Sequence, residues 1–113
     1  MQTDENCIFC KIVAGIIPAQ KTYEDKNVLA FLDINPKAPG HTLLIPKEHH
    51  PWFQDLPDAI SDDLFRVAKH VAKDIKARQS ADYVRLGIVG TDVPHVHIHL
   101  VPQKITDTKV QGL

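Results

Sequence analysis

His95-Val96-His97-Ile98-His99-Leu100-Val101 alternates imidazole with aliphatic side chains, and a period of two marks a half-buried strand. Once extended, the stretch sends its three histidines to one face and Val96, Ile98 and Leu100 to the core. Imidazoles two residues apart are spaced by about 6.6 Å, at ~3.3 Å per residue, so one patch gathers several groups that ionise near neutral pH. An edge strand with three solvated histidines would show the same pattern. Outward strand positions, however, ordinarily go to Thr, Lys or Glu. The pattern therefore reads as a strand written for chemistry.

Working outward, residues 83–89 read as a strand joined to this one by Gly90-Thr91-Asp92-Val93-Pro94. His41-Thr42-Leu43-Leu44-Ile45 has the content of a central strand, which Pro46 ends. Residues 28–32 are apolar throughout and read as a strand buried on both faces, paired with residues 22–24 across the Asp25-Lys26-Asn27 turn. Residues 35–40 form a rigid loop with two prolines. Leu64, Val67, Ala68, Val71 and Ile75 fall on one stripe of a long helix, with Lys69, Lys73 and Lys76 elsewhere and Ser61 or Asp58 as its cap. His70 lies beside the stripe as an ordinary surface histidine. Residues 7–13 have helical spacing and stop before Gly15 and Pro18, which reads as a short helix. The order strand, strand, strand, helix, strand, strand predicts an α+β domain: an antiparallel sheet of about five strands, with one long and one short helix packed on one side.

The 113 residues, 43% hydrophobic and 24% charged, suit one domain spanning residues 1–113 that buries its own core without disulfides. Residues 1–6 and 103–113 are expected to be flexible tails. Thirteen basic against fourteen acidic residues leave a formal charge of −1, which supplies no footprint for a nucleic acid polymer or a lipid surface. A small anionic ligand remains compatible with it. The polar, acidic amino terminus resembles neither a secretory signal nor a transit peptide, and no apolar run approaches a membrane span, so a cytoplasmic protein is expected. The two cysteines, Cys7 and Cys10, form a C-x-x-C pair that in a reducing compartment points to metal or redox chemistry before a disulfide.

Together, residues 41–47 and the alternation from His95 to His99 resemble the histidine triad (HIT) family of nucleotide hydrolases and transferases, in particular its Hint-like bacterial branch. The likeness extends over residues 7–13, residues 23–34 and the proline-rich loop. It implies that His97 attacks the α-phosphorus of a purine nucleotide and carries a covalent nucleotidyl intermediate. A neutral imidazole suits that task, because the phosphoramidate it forms is labile to water. In relatives a backbone carbonyl within the motif accepts the proton of the ring's far nitrogen and fixes its tautomer. His99 would hydrogen-bond a phosphate oxygen or protonate the leaving group, and His41 would complete the network. Ile8, Phe9, Ile12, Ile34, Leu43, Thr91 and Val93 match nucleotide-binding positions, and Asp33 matches the acidic residue on the ribose hydroxyls. Each apolar member serves equally as core, and Asp33 serves equally to cap the turn before Asn35-Pro36.

The resemblance also implies a structural zinc site. Cys7 and Cys10 with His49 and His95 supply two thiolates and two imidazoles, a set suited to tetrahedral zinc. Four protein ligands leave no open position, so such a zinc would brace the fold, with His95 orienting its neighbour. Two buried thiols or a redox couple are the alternatives, and His50 could replace His49. Many relatives carry an asparagine and a longer glycine-rich loop with Gln or Ser before the first motif histidine. Here Thr91 stands about where the glutamine would and Asp92 near the serine. A negative Asp92 beside a phosphate is unfavourable unless it points away or binds a cation.

Three further readings compete. Cleavage of diadenosine polyphosphates would use the same histidines. A catalytic zinc on His95, His97 and His99 is awkward, since strand positions i and i+4 lie about 13 Å apart. A nucleotide-binding interaction module without important turnover would keep the same pocket. Relatives form two-fold dimers joining their sheets, and the exposed edge of a small sheet favours pairing, so a homodimer is expected.

Overall fold

The computed structural model describes residues 3–107. In chain order the elements are α1 (Ile8–Val13), β1 (Lys21–Glu24), β2 (Val28–Leu32), β3 (Thr42–Pro46), α2 (Asp58–Arg78), β4 (Tyr83–Ile88) and β5 (Ile98–Gln103), with one-turn 3-10 helices at Phe53–Asp55 and Ile105–Asp107. The strands form one sheet in the order β1-β2-β3-β5-β4, and every pairing is antiparallel. Gln103, expected to begin a tail, closes β5 opposite Tyr83. Residues 1–2 and 108–113 of the expected tails lie outside the described residues.

Strand alternation divides the core in two. Val28, Ala30, Leu44, Ile98 and Leu100 face α2 and meet Leu64, Val67, Ala68, Val71 and Ile75, the stripe read from the sequence. Each fully buried aliphatic side chain there contributes about 1.5–3 kcal/mol by leaving water. Leu29, Phe31, Leu43 and Ile45 point the other way and pack with Cys7, Phe9, Cys10 and Ile12. The two helices thus cover opposite faces, not one side as expected. The cause is visible in β2: a strand buried on both faces needs a cover on each.

Two boundaries also differ from expectation. α2 begins at Asp58, behind Pro57, with no side-chain cap, and the Ser61 hydroxyl instead donates to the Asp58 carbonyl within the first turn. The histidine strand begins only at Ile98, because ladder pairing starts at the Ile98 partners Ile88 and Leu44. Before it, the Val96 amide bonds the His50 carbonyl and the His95 amide bonds the Val93 carbonyl. His95 and His97 therefore stand on a loop-bound entry segment, and only His99 lies in the strand.

Candidate active site

Two groups of side chains meet on the α1 side of the sheet. The first joins α1 to the segments after β3 and before β5. Cys7 Sγ lies 3.3 Å from His95 Nδ1, and Cys10 Sγ lies 3.3 Å from His49 Nδ1 and 3.6 Å from His95 Nδ1. The two Nδ1 atoms are 3.2 Å apart, and all four donor atoms fall within 4.8 Å of one another. With zinc bonds of about 2.0–2.1 Å to nitrogen and 2.3 Å to sulfur, a tetrahedron separates two nitrogens by roughly 3.3 Å and nitrogen from sulfur by roughly 3.5 Å. The donor atoms match that figure.

Their protonation matches too. His95 Nε2 lies 2.8 Å from the Pro46 carbonyl, which only accepts, so that nitrogen carries the proton and Nδ1 offers its lone pair. Burial, opposed by that hydrogen bond and reinforced by the other histidines, lowers the His95 pKa to about 4, so the ring is neutral at pH 7. Burial pushes the Cys10 thiol up to about 11, so forming its thiolate calls for a cation close by. Both cysteines are free. Asp4 approaches the far nitrogen of His49 at 3.8 Å. His50 is excluded from the cluster: it pairs with Glu48 at 2.7 Å.

The second group is His41, His97 and His99. Neighbouring rings are 5.0 Å apart for His97 and His99 and 5.2 Å for His41 and His99. His97 Nδ1 donates to the His95 carbonyl at 2.8 Å, as the resemblance implied. Nε2 therefore keeps its lone pair. It is buried without a hydrogen-bond partner. Phe9 stands edge-on to this ring at 5.0 Å and to His95 at 5.8 Å.

A chain of backbone and ring contacts sets the other two tautomers. The Lys37 amide donates to His41 Nδ1 at 3.1 Å, so in the neutral ring the proton sits on Nε2. That proton faces His99 Nδ1 at 3.0 Å, with Asp33 Oδ2 at 3.5 Å from the same His41 nitrogen. His99 Nδ1 accepts, which leaves His99 Nε2–H as a donor. Burial lowers the pKa of both rings. At His41 the charges of Lys37 and Arg85 add to it against Asp33, and at His99 the neighbouring His97 and His41 do.

The expected nucleotide positions separate into groups. Phe9, Ile12 and Leu43 are buried, and Val93 packs against their cluster. Ile8 is half exposed, Thr91 is exposed and Ile34 is 89% exposed, so these three lie at the surface. Asp33 also accepts from the Asn35 amide at 2.9 Å, so its turn-capping and site-facing readings both hold. His70 is exposed and borders a cavity of about 540 Å³ between the β1 edge and α2, away from the triad. Sequence reasoning missed the Lys37 amide and the Pro46 carbonyl, because backbone groups carry no residue-type signal.

A small antiparallel sheet presenting a carbonyl-oriented histidine, a histidine with a free N–H donor and a third that sets its tautomer defines a histidine cluster on an α+β fold. A family model, HIT domain, matches residues 14–106. The chain belongs to the HIT family. It is 43% identical over 111 residues to an uncharacterized HIT-like protein of Methanocaldococcus jannaschii, covering 92% of this chain and 84% of that one. It is also 43% identical over 102 residues to the adenosine 5'-monophosphoramidase HNT1 of Saccharomyces cerevisiae, covering 89% and 65%. A zinc-bound histidine triad family protein from Mycobacterium smegmatis superposes with a TM-score of 0.84 at 36% identity, covering 91% of this chain and 78% of that one. No helix among the described residues is long and apolar enough to cross a membrane.

Proposed function

We propose that this protein is a nucleotidyl hydrolase that cleaves a purine nucleoside 5'-phosphoramidate, or a related adenylated small molecule, through a covalent intermediate on His97. The observation that carries the reading is the buried Nε2 of His97, which makes no hydrogen bond, opposite an Nδ1–H donated to the His95 carbonyl. An imidazole held this way has one nucleophilic atom and one direction of attack. Its lone pair forms a bond to the α-phosphorus while the bond from phosphorus to the leaving amine breaks, and the amine takes that electron pair and a proton. His99 Nε2–H is the donor for a phosphoryl oxygen or for the leaving nitrogen. Water then breaks the phosphorus–nitrogen bond to His97, releasing the nucleoside monophosphate. Asp33 accepts from the ribose hydroxyls, and Phe9, Ile12 and Leu43 form the base side. Similarity to the yeast monophosphoramidase supports the substrate class.

Cys7, Cys10, His49 and His95 would hold a structural zinc, and the set fits by donor type, spacing and the His95 tautomer. When bound, the ion supplies the charge that keeps the two thiolates ionised inside the protein. Its ligand His95 presents the carbonyl that orients His97, so the two groups of side chains share one residue. A homodimer joined through a sheet edge, in the cytoplasm, completes the reading.

The test is a brief incubation with labelled adenosine 5'-phosphoramidate followed by peptide mass mapping. A nucleotidyl increment on His97, lost in His97→Gly along with turnover, is the expected result. Turnover undiminished in His97→Gly overturns the reading.

A further inference from the structure

The buried Nε2 of His97 has a charged neighbour that the proposed chemistry does not use. Asp92 Oδ1 stands 3.4 Å from it, although the Asp92 side chain is 64% exposed and the ring is 1% exposed. This approach is fixed locally: the Val93 amide donates to Asp92 Oδ1 at 2.9 Å, just after Gly90, whose φ of +94° turns the chain out of β4. Burial opposes ionisation of Asp92, but backbone hydrogen bonds and the nearby His97 and His99 outweigh it and hold its pKa below the usual carboxylate range. The carboxylate is thus a full negative charge at neutral pH.

Its placement is one-sided. Lys37 and Arg85 act on His41, where Asp33 opposes them, whereas the one carboxylate within 4 Å of His97 Nε2 among the described residues is Asp92. A phosphorus in attack range lies about 3–3.5 Å from the attacking atom, the same distance at which the Asp92 oxygen already stands. Phosphoryl oxygens and this carboxylate must then share the first contact layer of Nε2. A singly charged phosphoryl group can direct its charge to the donor end. A doubly charged one brings a second charge that the site meets with another negative charge.

We infer that Asp92 is a specificity-determining residue that sets the charge accepted at the phosphoryl position, favouring a singly charged α-phosphoryl group over a terminal, doubly charged monophosphate. This rests on the nucleotide reading above and deepens it. The substrate class is a nucleoside phosphoryl amide or mixed ester bearing one negative charge. The doubly charged product is disfavoured and leaves, and polyphosphate-linked dinucleotides, which bring more charge to the same place, are poor substrates.

The experiment compares inhibition constants at pH 7.5 for AMP, its singly charged methyl ester and uncharged adenosine, using wild type, Asp92→Asn and Asp92→Glu, each with and without magnesium. The expected result in Asp92→Asn is about tenfold tighter AMP binding, equivalent to about 1.4 kcal/mol, a smaller gain for the ester and none for adenosine. Asp92→Glu should keep the wild-type ratios. Equal changes for all three compounds, or Glu behaving as Asn does, overturn the inference, since shape and not charge would then be at work. Magnesium-dependent tightening of AMP in wild type that disappears in Asp92→Asn also overturns it, showing a carboxylate that recruits a cation. Absence of binding by all three compounds to every protein removes the nucleotide reading and this inference together, whereas binding without charge dependence removes this inference alone.

Discussion

The two faces of the sheet are built from the same strands and held by different means. On one, the 21-residue α2 lays an aliphatic stripe across Val28, Ala30, Leu44, Ile98 and Leu100, and apolar burial suffices. On the other, α1 has six residues, well below the ~12–15 at which an isolated helix is even marginal. Its cover of Phe9 and Ile12 is supplemented by the Cys7, Cys10, His49 and His95 cluster. A face that must leave room for polar groups cannot be sealed by a long greasy helix. It keeps a short one, pinned at a few strong points. The comparison predicts that damage on the α2 face costs stability, whereas damage on the histidine face costs activity or local order.

The largest effect should come from the histidine face. His97→Gly should lower turnover by more than about a thousandfold, as loss of a covalent nucleophile does elsewhere, with a midpoint of denaturant unfolding close to wild type. Its mirror on the α2 face is Leu64→Ala, at a fully buried position. This should cost roughly 2–5 kcal/mol of stability while the folded fraction retains its specific activity. A large activity loss per folded molecule there would break the division between the faces.

Acid should expose the one place where the histidine face carries stability as the α2 face does. His95 has a folded pKa of about 4, below its ordinary 6.5, so between those values the unfolded chain binds more protons and stability falls as pH falls. In metal-free protein the loss from this one group should approach 3 kcal/mol, at about 1.4 kcal/mol per unit, read from urea melts at pH 7 and pH 4. A flat profile would mean that His95 is hydrated. Zinc should act in the opposite direction: at a free concentration a hundredfold above its dissociation constant it should add about 2.7 kcal/mol. Hydrogen exchange should show the protection in α1 and around His49, with α2 changed least. Equal protection of both helices would erase the distinction between the faces.

Local pattern was enough for much of this molecule. The stripe from Leu64 to Ile75 specifies α2 because a 3.6-residue period places those side chains on one line, and the apolar run from Val28 to Leu32 specifies a strand buried on both sides. The alternation ending at His99 specifies which side chains enter the α2-side core and which histidines take the other face, since residue type and period are both properties of a chain read in order. Tertiary structure decided the rest. It put α1 and α2 on opposite faces, delayed β5 to Ile98 by tying Val96 to His50, and chose His49 over its neighbour His50 for the cysteine cluster. It also assigned the proton on each imidazole through the Lys37 amide, the Pro46 carbonyl and the His95 carbonyl, and brought Asp92 to His97 Nε2. Those outcomes depend on backbone groups and on distances between segments remote in the chain, and neither is encoded in the identity of any one residue.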